Sequence, residues 1–146
     1  MEAVIFIGVQ GSGKSTFYAR YFADTHLRLS RDVLGTSARL DVLFHAALAV
    51  KQKLVLDNTH PTRASRARYL AACRAEGYRV IAYWFDATAE EALARNARRS
   101  GRARVPDKAV HGALAKLEPP SPDEAFDELH RVRVVEPDFA IETLYP

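Results

Sequence analysis

The chain has 146 residues, 48% hydrophobic and 27% charged, which is enough for one sheet covered by helices and little more. Its longest apolar stretch, Val80 to Phe85, is far short of the roughly 20 residues a bilayer span needs, and Met1 leads within two residues into a strand-like run. Neither a membrane span nor a signal peptide is expected. Cys73 is the only cysteine, so an internal disulfide is excluded and a reducing cytoplasm is the expected location. The net charge of +3 is modest, but arginines crowd two stretches: Arg63, Arg66, Arg68 and Arg74, then Arg95, Arg98, Arg99, Arg102 and Arg104. Arginine is the better fork for phosphate oxygens, so a polyanionic partner is one reading and a solvated surface the other.

In chain order, residues 2–7 (EAVIFI) form a continuous apolar run, as in a strand buried on both faces. Residues 8–15 follow as GVQGSGKS, the full G-x-x-x-x-G-K-[ST] phosphate-loop pattern, and a helix is expected over 14–23. Gly8, Gly11 and Gly13 let successive N–H groups, that of Ser12 included, turn toward an anion, and the helix places its positive end on the same point. Lys14 can reach the β- and γ-phosphates of ATP, Ser15 can ligate Mg²⁺, and Thr16 is a further candidate for a phosphate contact. A guanine-nucleotide switch is disfavoured, because no N-K-x-D motif occurs.

Residues 26–30 (HLRLS) alternate like an edge strand and lead into Arg31 and Asp32. Asp32 is either a general base facing the terminal phosphate or a helix cap before Val33; spacing leaves both open. Leu40, Leu43, Phe44 and Ala47 mark one helix face. The run 53–57 (KLVLD) ends in Asp57, the Walker B arrangement of a buried strand delivering a carboxylate toward Mg²⁺. Asn58, Thr59 and His60 follow, His60 either touching substrate or capping the helix expected over 61–76. Residues 78–85 (YRVIAYWF) read as another buried strand. A helix over 88–100 starts at Thr88 with Glu91 three residues on. The arginines after it, with Ser100 and Gly101, fit a short lid at about 98–105. There a lid arginine would steady phosphate charge, or else the cations simply complement a helix end. A last helical run starts near Pro106 and is closed by Pro119, Pro120 and Pro122; 131–135 (RVRVV) reads as a second edge strand. Strands separated by helices imply a mostly parallel α/β sheet of about five strands, whose carboxyl ends gather the motifs.

The stretches GVQGSGKSTF (8–17), SRDVLG (30–35), LDNTHPTRASRARYL (56–70), WFDATAEEALARNARR (84–99), VPDKAVHG (105–112) and EPPSPDEAF (118–126) together resemble the 5′-hydroxyl polynucleotide kinase family, in order and over nearly the whole chain. The resemblance implies a single P-loop kinase domain over 1–146, ATP with Mg²⁺ as donor, and a nucleic-acid 5′-hydroxyl as acceptor, in nucleic-acid repair. It places Lys14 and Ser15 in the donor and metal roles, Asp32 as base and Arg99 as the lid arginine on the phosphates. Arg31, Asp57, Asn58 and Asn96 also match, and Arg66, with Asn58 and His60, is a candidate for substrate contact. Three departures stand out. Gly35 occupies a position where some relatives carry a substrate-holding arginine, His60 replaces a usual asparagine, and no D-x-D-x-T phosphatase motif occurs. Two other functions remain compatible with the residues: transfer to a small-molecule hydroxyl, and a non-catalytic ATP-binding nucleic-acid adaptor.

Overall fold

The computed structural model describes residues 1–146 and organises them around one six-stranded sheet. The three expected buried runs form its centre as β1 (Glu2–Ile7), β3 (Leu54–Asp57) and β4 (Arg79–Phe85). Strand β2 (Leu27–Leu29) lies at one edge, and β5 (Glu128–Val135) and β6 (Asp138–Tyr145) complete the other side. The order is β2-β3-β1-β4-β5-β6; all pairs are parallel except β5 with β6.

Alternation along β1 explains why its run is uniformly apolar. Ala3, Ile5 and Ile7 face a core built with α3 (Ser37–Ala49) and α4 (Arg63–Ala75), around Leu40, Phe44, Leu70 and Cys73. Val4 and Phe6 face the opposite side, where α1 (Lys14–Tyr21) contributes Phe17 to an aromatic cluster with Phe22 and Phe85. The ring pairs in this cluster are mostly edge-to-face, the geometry that aromatic quadrupoles prefer. A small third cluster joins α5 (Ala89–Ala97) to α6 (Asp107–Lys116) through Ala92 and Val110, with Val9.

Local signals fix the helix ends. Thr88 accepts from the Glu91 N–H while Glu91 reaches back, the reciprocal cap expected from the spacing. The fourth helix starts later than Pro61, at Arg63, because Thr62 is the cap and pairs reciprocally with Ser65. Asp32 is not a cap: Ser30 holds that position, and Asp32 lies in the first turn of the short α2 (Arg31–Leu34).

The expectation of a second edge strand at 131–135 is corrected. Strand β5 begins at Glu128 and lies inside the sheet, and β6 is the edge. Phe139 is the one residue of β6 that packs on the aromatic cluster, and the rest of the strand is exposed.

From β1 the chain crosses over β3 to the edge at β2, returns to β3, then jumps across β1 to β4. The connections leaving β1 and β3 therefore diverge, and a crevice opens beyond their carboxyl ends. The phosphate-loop sequence leaves β1 there, and Asp57 to His60 leave β3 beside it. The Gly8 N–H donates to the Thr59 carbonyl at 3.0 Å and joins the two loops.

Candidate nucleotide and acceptor site

The loop after β1 is held open by its glycines and by a neighbouring helix. Gly11 has φ +79°, and a Cβ there would stand 2.4 Å from the Ala92 carbonyl oxygen of α5. Gly13, at φ +102°, ends the loop just before Lys14. Arg95, one of the clustered arginines, reaches back from α5 and donates to the Gly11 carbonyl at 3.1 Å. Its role is to brace the loop. The first-turn N–H groups of α1 have no helical acceptor and lie at the positive end of that helix. Ser12 Oγ is buried within the loop without a partner. An anion fits such a cradle.

Lys14 turns its ammonium onto the carbonyl oxygens of Gly8 and Val9, at 2.7 and 2.9 Å. Burial lowers its pKa to about 8, partly offset by the nearby carboxylates of Asp57 and Asp32. Asp57, at the end of β3, is buried. Its Oδ2 accepts from Arg28 Nε at 2.8 Å, and a terminal nitrogen of the same guanidinium donates to Ser15 Oγ at 3.1 Å. The two oxygens that a magnesium ion would use thus already hold positive charge between them, so the residues fit a cation. No group of three or more His, Cys, Asp or Glu side chains could hold a metal alone, so phosphate oxygens and water would complete its shell.

Asn58 Oδ1 accepts from the Arg31 N–H at 2.9 Å, tying the end of β3 to the first turn of α2. That bond positions the helix carrying Asp32. Asn96, fully buried, clamps the base of the lid: Nδ2 donates to the Val105 carbonyl at 2.7 Å, and Oδ1 accepts from the Val105 N–H at 3.0 Å. Residues between these anchors form a short 3-10 turn at Gly101–Ala103, with Arg99 donating to the Ala103 carbonyl.

One cavity of about 590 Å³ collects these groups: Lys14, Ser15, Asp57, Asp32, Arg31, Asn58, His60 and Arg99 all line it. It also takes in Arg28, Arg68, Tyr69 and Arg102, which pattern reading did not single out for this role. Six cationic side chains face it, against the carboxylates of Asp32 and Asp57, and two of its twenty lining residues are hydrophobic. Gly35 lines it too, leaving open the place of the side chain that this position lacks. Thr16 is exposed on α1 and is not among the lining residues.

One expected substrate contact, Arg66, needs correction, and of the two readings of His60 the helix cap is the one that fails. Arg66 is fully buried; it forks onto both Glu124 oxygens at 2.8 and 3.0 Å and onto the His60 carbonyl at 2.9 Å, leaving its guanidinium committed to the fold. His60 lies in the cavity floor and does not cap α4. Its Nδ1 is 2.7 Å from the Phe6 carbonyl, which can only accept, so Nδ1 carries the proton. Burial lowers its pKa to about 4, keeping the ring neutral and making the buried, unpartnered Nε2 an acceptor.

Residues 4–120 match the model of the AAA domain family, AAA_33. The chain belongs to this family. Among curated proteins, this AAA domain is 24% identical over 137 residues to the bifunctional polynucleotide phosphatase/kinase of Schizosaccharomyces pombe. The match covers 90% of the chain but 33% of that relative, so the chain spans about a third of its length. Among solved structures, Kti12 from Chaetomium thermophilum superposes with a TM-score of 0.70 at 16% identity, covering 90% of this chain and 88% of that one. A gluconokinase from Sinorhizobium meliloti 1021 gives 0.64 at 18%, covering 93% and 84%; a sugar kinase from Janibacter gives 0.64 at 21%, covering 90% and 85%. The fold is that of the P-loop kinases. No helix is long and apolar enough to cross a membrane.

Proposed function

We propose that the chain is a phosphotransferase that moves the γ-phosphoryl group of ATP, with Mg²⁺, to the 5′-hydroxyl end of DNA or RNA. The observation carrying this reading is that Lys14 of α1, Asp32 of α2 and Arg99, in the segment after α5, line one cavity. The loop after β1 cradles the donor phosphates through backbone N–H groups, and Lys14 leaves its carbonyl partners to meet them. Asp32 accepts the proton of the acceptor hydroxyl as that oxygen bonds to the γ-phosphorus and the bond to the β-phosphate oxygen breaks. Arg99 offsets charge on the transferring group from the lid side. Ser15 and Asp57 would hold Mg²⁺, which when bound neutralises phosphate oxygens.

A nucleic-acid acceptor is supported by the cationic excess of the cavity and by the similarity to the phosphatase/kinase of fission yeast. A small-molecule hydroxyl is the second reading, favoured by a cavity volume in the range of ordinary ligand pockets. Incubation with γ-labelled ATP and a 5′-hydroxyl oligonucleotide is expected to label the 5′ end. Asp32→Ala is expected to reduce transfer by roughly 10²–10⁴-fold while leaving ADP binding intact. Label appearing on sugars or nucleosides, but on no DNA or RNA end, would select the second reading. ADP binding with no transfer to any acceptor would sink both and leave an adaptor.

A further inference from the structure

Arg28 sits on the edge strand β2, in parallel register with Val55, and Val55 packs in the aromatic cluster beneath α1. Its side chain therefore leaves the sheet on the side of α1 and runs toward the carboxyl ends of the strands. The guanidinium lies 5.5 Å from the centre of the Tyr18 ring, and the Tyr18 hydroxyl is anchored by donating to the His26 carbonyl at 2.6 Å. Nε and a terminal nitrogen each stand 2.8 Å from Asp57 Oδ2. The second link, 3.1 Å to Ser15 Oγ, closes a bridge across the crevice.

We infer that Arg28 is a resident counter-ion in the divalent-metal position, which the metal must displace to bind. The inference rests on the nucleotide reading above. The Asp57 side chain is 3% exposed and has no hydrogen-bond or ion-pair partner other than Arg28. A buried carboxylate without a partner is strongly disfavoured, so in the unliganded protein the guanidinium stabilises Asp57 in place. The same contact excludes a second cation, because the guanidinium bridges the two oxygens that would receive it and repels like charge. Metal affinity is then reduced by the fraction of molecules in which Arg28 holds the site. The Arg28 side chain is 29% exposed and lines the cavity, so once displaced it can rest on Tyr18 or turn to phosphate oxygens. A metal arriving with phosphate can offset this displacement; a bare metal cannot. The device makes metal binding depend on the phosphate ligand.

The test uses Mn²⁺ as probe and the full chain, wild type and Arg28→Gln, saturated with ADP. Free Mn²⁺ is followed by electron paramagnetic resonance, and thermal unfolding is recorded in EDTA and in Mg²⁺ with ADP. The variant is expected to bind Mn²⁺ about tenfold or more tighter, the scale of a lost hydrogen bond to a charged group. It should melt lower than wild type in EDTA and gain more on adding Mg²⁺. In the wild type, the ¹⁵N-edited Nε–H resonance of Arg28 should shift when Mg²⁺ with ADP is added, a readout that does not depend on the variant folding. Equal or weaker Mn²⁺ binding by a folded variant, or an unmoved Arg28 resonance in a wild type saturated with Mg²⁺ and ADP, overturns the inference. A wild type that binds no ADP with or without metal overturns the nucleotide reading itself, and this inference with it.

Discussion

The ammonium of Lys14 donates to the carbonyl oxygen of Gly8 at 2.7 Å, so this cation is seated in the loop's own backbone. Burial has lowered its pKa to about 8. An arriving phosphate favours the charged form and raises that value, so binding takes up a proton wherever the free protein has lost it. Affinity for ADP should hold up to about pH 8 and then fall by up to about tenfold per unit. Titration calorimetry between pH 7 and 9.5 reads this directly. Lys14→Arg should flatten the profile, and a flat wild-type profile would refute the linkage.

His60 supplies an acid limb to the stability curve. Its ordinary value of 6.5 applies to the unfolded chain, and burial holds the folded ring at about 4. Between those values the unfolded state binds the proton, so stability falls as pH drops through the window and is fully present above 6.5. The loss from this group is on the order of 3 kcal/mol, converting about 2.5 pKa units. Urea unfolding at pH 7 and pH 4.5, in wild type and His60→Asn, should show the difference shrinking in the variant.

Much of the site is legible in the sequence because its determinants are local. GVQGSGKS needs its glycines at fixed spacing, and Thr88 with Glu91 forms a cap within one turn. What could not be read depends on partners far along the chain. Arg66 carries the same side chain as a phosphate contact, yet its fork is satisfied by Glu124, 58 residues away. Arg28 sits in a strand that reads only as alternating, and its meaning appears when β2 is placed beside Asp57 and Ser15. Strand β6 alternates Phe139, Ile141, Thr143 and Tyr145, but it pairs through backbone with most side chains exposed, so burial does not mark it as part of the sheet.

Asn96 joins the two ends of the lid through its single amide. Asn96→Ala leaves the N–H and carbonyl of Val105 without that partner, a cost of about 1–3 kcal/mol for buried groups. Because Arg99 and Arg102 lie on the segment it closes, kcat for phosphoryl transfer should fall more than nucleotide affinity does. Stopped-flow ADP binding beside single-turnover transfer would separate the two. Equal losses in both would mean that the damage spreads into the phosphate loop.

The buried pair of Arg66 and Glu124 gives the sharpest stability prediction. Arg66 is fully buried and the Glu124 side chain 5% exposed, so neither charge has water to fall back on. Glu124→Ala would strand the guanidinium with one neutral acceptor, the His60 carbonyl, and should destabilise the chain by about 3–5 kcal/mol. The double change Arg66→Met with Glu124→Leu removes both charges while keeping most of the volume, and should recover much of that loss. Because Arg66 also holds the His60 carbonyl, the double variant tests a second role. If the fold is regained but ADP binding and transfer are altered, the ion pair shapes the cavity floor; if both return to wild type, its role is stability alone. A single Glu124→Ala variant as stable as wild type in urea would show that the pair contributes nothing that packing does not already supply.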